Sequence, residues 1–393
     1  MPTNEHAGSA GAVSAASRGA PTFSVGYRVL CAEAGCFSDI VRDFRNHIDE
    51  VYFAWPGDAS GRAPLAPETA DQVRWELERI RSLGVPLHLL LNASCYGGQA
   101  LSPALVERVR SQVAELVDRV GLRGVTTLSP LIARTVKAEF PDVKVRASVN
   151  MRLGTVRSMA YVARWFDEYC VQREYNRHPA RLAALQDWAA DNGKALYVLA
   201  NSGCLNFCSA QTFHDNAVAH EDEINSGPTV GGLTTLCREY YSDSGHWINL
   251  LQGSSWLRPE DIAAHRRIFS GGYKLATRLH DDPRRVIGAY ARACFRGNLP
   301  DLLEPGFGPL LYPHIIDNSR FPSDWFERTT ACGECCDCGY CATVLERVLV
   351  NVNGPWNALD NRAQPCRDCA QPHAIGCAGN CLPNQCSGRI NKE

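Results

Sequence analysis

Eight short apolar runs, separated by amphipathic stretches, constrain this chain more than any other feature. They read "VGYRVLCAEA" from 25, "EVYFAW" at 50, "PLHLLLN" at 86, "GVTTLS" at 124, "VRASVN" at 145, "EYCVQRE" at 168, "ALYVLAN" at 195 and "YKLATR" at 273. The runs are continuously apolar rather than alternating, which marks strands buried on both faces. Between them stand helical patterns such as "PETADQVRWELERIRSLG" and "SPALVERVRSQVAELVDRVG", the first opening on Pro and both closing on Gly, as helix ends prefer. Eight such units predict an α/β fold, a (β/α)8 TIM-like barrel over residues 23–299.

In a closed barrel the residues just after each strand share one mouth, and polar groups there usually serve the active site. The candidates are Cys31, Glu33 and Cys36 after the first strand, Asn92 and Cys95 after the third, and Asn150 after the fifth. Arg173 and Glu174 follow the sixth, Asn201, Cys204 and Cys208 the seventh, and Arg278 the eighth. Singly, each could merely cap a helix or satisfy a loop.

The ends of the chain have a different character. Residues 1–22 are Ala, Gly and Ser with few large apolar side chains, which predicts disorder. Of 18 cysteines, ten lie beyond residue 331, which predicts a linker over 300–331 and a small Cys-rich metal-binding domain over 332–393. No apolar run approaches the roughly 20 residues that span a bilayer, and the N-terminus lacks the basic start and apolar stretch of a signal peptide. The expected location is cytoplasmic, where clustered thiols are metal or iron–sulfur ligands more often than disulfides. A net charge of −2 gives no global attraction for nucleic acid, so a small-molecule substrate is preferred to RNA.

Cys204 and Cys208, four apart after the seventh strand, and Cys237 beyond a Gly-containing loop offer three soft ligands. A fourth could come from Cys31, Cys36, Cys95 or Cys170, with Cys95 the choice made here. His214 could complete a zinc site or act as an acid or base near neutrality. Arg173, Glu174 and Arg278 are the other catalytic candidates, Arg278 as an inward carboxylate or phosphate clamp whose plain alternative is an ion pair with Glu174.

In the tail, Cys332, Cys335, Cys338 and Cys341 form C-x2-C-x2-C-x2-C, close to a ferredoxin run, with Cys336 out of step. Cys366, Cys369, Cys377, Cys381 and Cys386 supply a second set. One or two tail clusters, or structural zinc, are expected, because so few apolar residues would need metal to fold.

The strand motifs resemble the collagenase-like peptidase family U-32. "DEVYFAW" is similar to that family's "DAVYLG" strand, "LLLN" to "VTLN", "RASVNM" to "ASVQMN", "CVQRE" to "VLSRE", and "GGYKLATR" to "SFKIEGR", followed by "VIGAYARACFRG" on the next helix. Several members look like oxygen-independent hydroxylases of ubiquinone precursors, transfer RNA or ribosomal RNA, carrying a four-iron, four-sulfur (4Fe-4S) cluster, with prephenate as oxygen donor in some. The resemblance therefore implies an iron–sulfur oxidoreductase, with Cys204, Cys208 and Cys237 as cluster ligands and an electron donor such as ferredoxin. Ala276 and Thr277 replace the family's Glu-Gly. The alternatives are a U-32-type peptidase and a zinc-stabilised, non-catalytic binding protein. Neither G-x-S-x-G nor H-E-x-x-H occurs, so no standard serine or zinc protease is indicated.

Overall fold

The computed structural model describes residues 19–30, 35–62, 65–225, 236–332 and 338–352. Eight parallel strands close on themselves in chain order: β1 (Phe23–Gly26), β2 (Ile48–Phe53), β3 (Leu87–Leu91), β4 (Gly124–Thr127), β5 (Lys144–Ala147), β6 (Glu168–Cys170), β7 (Ala195–Leu199) and β8 (Gly272–Leu275). β1 pairs with both β2 and β8, so no strand edge is left open. The (β/α)8 barrel expected from the apolar runs is the observed fold. β1 ends at Gly26, so "YRVL" has already left the sheet.

The amphipathic stretches are the surrounding helices. In Pro103–Val120, Ser102 caps the start by accepting from Leu105 N, Gly121 ends it in the left-handed conformation at φ 65°, and Leu105, Val109, Val113, Leu116 and Val120 form the buried stripe. Its sequence carries both signals openly.

The barrel interior is partly filled by charge. Arg146 on β5 donates to Glu50 on β2 and to Glu168 on β6, the Nη2–Oε2 and Nε–Oε2 contacts being 2.8 and 2.7 Å, and its guanidinium lies 3.7 Å from the centre of the Tyr197 ring. Ser24 donates to Glu50 at 2.6 Å, and His88 stands 3.5 Å from it. Burial opposes the Glu50 charge, yet Arg146 and His88 hold its carboxyl well below the usual range. Opposite this layer Gly272 is required: a Cβ there would meet the Tyr197 ring at 2.5 Å.

The stretch read as a linker, 300–331, is packed. It contains the helix Trp325–Ala331 and β9 (His314–Ile316), which pairs antiparallel with β10 (Leu349–Asn351). Leu299, Leu303, Phe307, Leu311, Phe321 and Trp325 form a second apolar cluster with Tyr241, Trp247 and Trp256, joined by Val344 and Val348. Trp325 stacks on Trp256 at 5.7 Å. Aromatic side chains at this density bury enough area to order a segment that Pro and Gly would otherwise loosen. This layer therefore continues past 332, the expected start of a separate domain. Residues 1–18, the N-terminal part of the stretch expected to be disordered, lie outside the described residues, as do 353–393.

Candidate active site at the barrel mouth

The groups that follow the strands meet around two residues not singled out from the sequence, Arg62 and Glu304. Arg62, in the loop after β2, donates through Nε to Glu304 Oε1 at 3.1 Å. Glu304 reaches the mouth because its loop is clamped to the end of β7: its N–H donates to Asn201 O at 2.9 Å, and its carbonyl accepts from Gly203 N at 3.0 Å. Asn201 is fully buried and itself donates to Ala276 O and Leu302 O, both at 2.8 Å. Asn201 thus ties β7, β8 and the 302–304 loop together, a positioning role.

Arg278 is buried and points inward, donating to Ser60 Oγ at 3.2 Å. Its titratable neighbours are the Tyr52 phenol, Glu304 and Arg62, and burial pulls its pKa down. It stands with Glu304 rather than with Glu174. Glu174 instead accepts from Phe207 N at 3.2 Å, inside the loop that carries Cys204 and Cys208. Phe207 is held at φ 51°, a conformation that a bulky side chain rarely adopts. Arg173 is buried beside Glu174, and its carbonyl accepts from Ser255 Oγ at 2.5 Å.

His214 lies on the helix Gln211–Ala219 that follows the cysteine loop. Burial and the Arg62 cation lower its pKa, Asp215 opposes them, and Arg173 adds to the lowering. The imidazole is accordingly neutral near pH 7, able to accept a proton. Asp215 is a buried carboxylate missed from the sequence because nothing distinguishes it from a helix surface residue.

The three thiols expected to act together are neighbours. Burial pushes the Cys237 thiol up, and Cys204 and Cys208 push it further, while Cys204 also bears on Arg62. Among the described residues no three His, Cys, Asp or Glu side chains stand ready to hold a metal ion as they are. Of the four candidates for a further ligand, Cys170 is buried inside the barrel with Lys274 and Arg146 nearby, and Cys36 precedes the helix Phe37–Asp43 close to Tyr27. Cys95 hydrogen-bonds the His220 side chain and accepts from Gly97 N at 3.3 Å. Cys31 and Glu33 lie outside the described residues.

Of the tail thiols, Cys332 and Cys341 both bear on Arg177, whose side chain donates to Ser254 O and lies over the Trp256 and Trp325 rings. Burial brings that guanidinium down to about 10, with Asp261, Cys341 and Cys332 opposing. Cys341 and Cys237 pack against the same aromatic cluster. Cys338 is exposed. Cys335, Cys336, Cys366, Cys369, Cys377, Cys381 and Cys386 lie outside the described residues.

A parallel eight-stranded barrel whose C-terminal mouth gathers thiols, guanidinium groups and buried carboxylates is the class to which this chain belongs. It is 23% identical over 337 residues, 82% of its length and 95% of the other's, to a curated Methanocaldococcus jannaschii protein described as an uncharacterized protease. A solved U32 peptidase aligns with 68% of this chain and 98% of its own at 16% identity and a TM-score of 0.47. An alpha-amylase from Malbranchea cinnamomea aligns at 9% identity and a TM-score of 0.33, covering 79% of this chain and 76% of its own. No family model matches the chain. The strand motifs that resemble those of the U-32 peptidase family lie on β2, β3, β5, β6 and β8 of the barrel. Among the described residues no helix is long and apolar enough to cross a membrane.

Proposed function

We propose that this chain is an enzyme working at the barrel mouth: an iron–sulfur-dependent, oxygen-independent hydroxylase or related redox enzyme acting on a carboxylate-bearing small molecule. The observation that carries the reading is the meeting of Cys204, Cys208 and Cys237 beside Arg62. Three neighbouring thiols suit a soft cation, which would take them as thiolates and offset the charge that they would otherwise crowd together. When bound there, an iron–sulfur cluster would supply electron transfer and a site for oxygen-atom chemistry.

The chain's own groups do the rest. Arg62 and Arg278 present guanidinium groups to an acid, prephenate among the substrates such a pair would fit, with Glu304 fixing Arg62 between the strands. His214, held neutral, accepts a proton in the mouth. Glu174 fixes the cysteine loop through Phe207 N. The modest overall charge favours a small acid over RNA. Cys341, packed against the same aromatic cluster as Cys237, and Cys332, near Arg177 with it, support an electron path from a donor such as ferredoxin through the tail, with zinc as the tail's alternative occupant.

Proteolysis, which the archaeal relative's description names, would require a nucleophile paired with a base. At the mouth His214 faces Arg62, Asp215 and Arg173. The deciding experiment is iron and sulfide analysis of protein prepared without air, beside a Cys204→Ser/Cys208→Ser variant. Iron and sulfide lost in the variant support the reading. A colourless wild-type protein containing zinc or no metal refutes it.

A further inference from the structure

Beside the mouth a cleft of ≈ 330 Å³ opens between the loops after β2 and β3 and the end of the helix Gln211–Ala219. Cys95, His220 and Glu223 all line it. His220 Nδ1 lies 3.2 Å from Glu223 Oε1, and the same ring hydrogen-bonds the Cys95 thiol. The array is therefore carboxylate, imidazole and thiol in sequence, the order in which a base orients and activates a nucleophile. The mouth chemistry proposed above takes its thiols from Cys204, Cys208 and Cys237; Cys95, the fourth ligand expected from the sequence, is instead engaged by His220 and Gly97 N.

We infer that Cys95, His220 and Glu223 form a second reactive site, a thiol acyl-transfer centre that takes an ester or amide of a small, unhindered acyl group.

Several features support this use. The backbone around the thiol is bare: Gly97 sits at φ 54°, a Cβ there would come within 3.7 Å of the His220 ring, and a Cβ on Gly98 would meet nothing. An acyl group can thus approach the sulfur from the glycine side. Leu91, Val109 and Ile132 give the cleft an apolar wall, with Arg108 and Asp58 among its polar groups. The hydrogen bond from His220 and the one from Gly97 N lower the Cys95 pKa, while Cys95 and Glu223 raise that of His220. Both shifts favour the thiolate–imidazolium form.

The chemistry balances without a redox partner. The thiol proton passes to the His220 imidazole as sulfur bonds to the acyl carbon. The bond from that carbon to the leaving oxygen or nitrogen breaks, and the leaving group takes a proton from the imidazolium if it needs one. Water, deprotonated by His220, then attacks the thioester carbon, releasing the carboxylic acid and restoring the thiol. Glu223 holds the ring and is a positioning residue.

The test uses the full chain, reduced and freed of reductant, with p-nitrophenyl acetate as probe. Expected are a burst of one nitrophenolate per chain and an acetyl adduct found by mass spectrometry on the peptide containing Cys95. Cys95→Ser loses the burst and keeps its iron content. His220→Gln slows acylation by about a hundredfold with an unchanged melting temperature, the usual scale of a lost general base. Glu223→Gln slows it less and leaves KM unchanged. Acetylation spread equally over Cys95 and the exposed Cys294 overturns the inference, as does a burst that survives Cys95→Ser. So does loss of iron in Cys95→Ser, which would make this thiol a cluster ligand and leave the mouth reading standing. Zinc bound by wild type and lost on His220→Gln would make the three side chains a metal site and also overturn it.

Discussion

The barrel holds two sets of charges that obey opposite rules. In its interior Arg146 is enclosed by Glu50, Glu168 and the Tyr197 ring, and each carboxylate has a cation in contact. At the mouth the guanidinium groups of Arg62, Arg278 and Arg173 and the neutral His214 imidazole come from different loops to meet Glu304, Glu174 and Asp215. Charges that saturate one another hold structure; charges that converge from different strands onto one space leave capacity for a ligand. The interior set lies on β2, β5 and β6, whereas the mouth set lies in the loops and helices that follow the strands, where the proposed function puts its ligand.

Breaking the interior layer should have the largest effect. Glu50→Ala strips the fully buried Arg146 of one partner, and the expected loss is about 3–5 kcal/mol of stability, read by chemical denaturation. A smaller effect at the mouth would come from Arg62→Ala: affinity for prephenate should fall about tenfold to a hundredfold, as for a lost charge-assisted contact. Calorimetric titration measures it, and the melting temperature should move less than in Glu50→Ala. A reversal of that pattern would erase the distinction between the two layers.

A pH experiment sharpens the contrast further. His265 is fully buried between Tyr273 Oη at 2.9 Å and Asn176 O at 2.7 Å, and burial lowers its pKa to about 4. The unfolded chain binds this proton first, near the ordinary value of about 6.5. Stability should therefore be intact above that value and decline as pH falls toward 4, by on the order of 3 kcal/mol. His265→Gln should flatten that decline, which denaturant midpoints from pH 7 to 4 would show. The smallest effect is expected at Phe207, where Gly would relieve the left-handed backbone. Phe207→Gly should change stability by roughly 1 kcal/mol at most while leaving Glu174 its N–H partner. A large loss there would mean the exposed ring has a role of its own.

The strands were legible because each is a continuous apolar run, and the helices because Ser102, Ser129 and Gly121 stand where caps belong. Thiols and arginines following strands could be placed at one mouth for the same reason. Glu304 could not. It lies 242 residues from Arg62, and its position depends on the 302–304 loop docking against Asn201. The supposed linker misled because its apolar residues follow neither a helix nor a strand period, whereas Phe321, Trp325 and their partners decide its packing. His220 was hidden for a third reason: a His three residues before a Glu reads as an ordinary helix surface pair until the loop after β3 brings Cys95 to it.

The central claim, that the mouth gathers three thiols to hold iron beside an acid-binding pair of arginines, has a direct test. Crystals grown without air, measured on both sides of the iron absorption edge, should show an anomalous peak within bonding distance of the Cys204, Cys208 and Cys237 sulfurs, close to Arg62. No iron peak at those sulfurs, with the three thiols free or bonded to zinc, would contradict it.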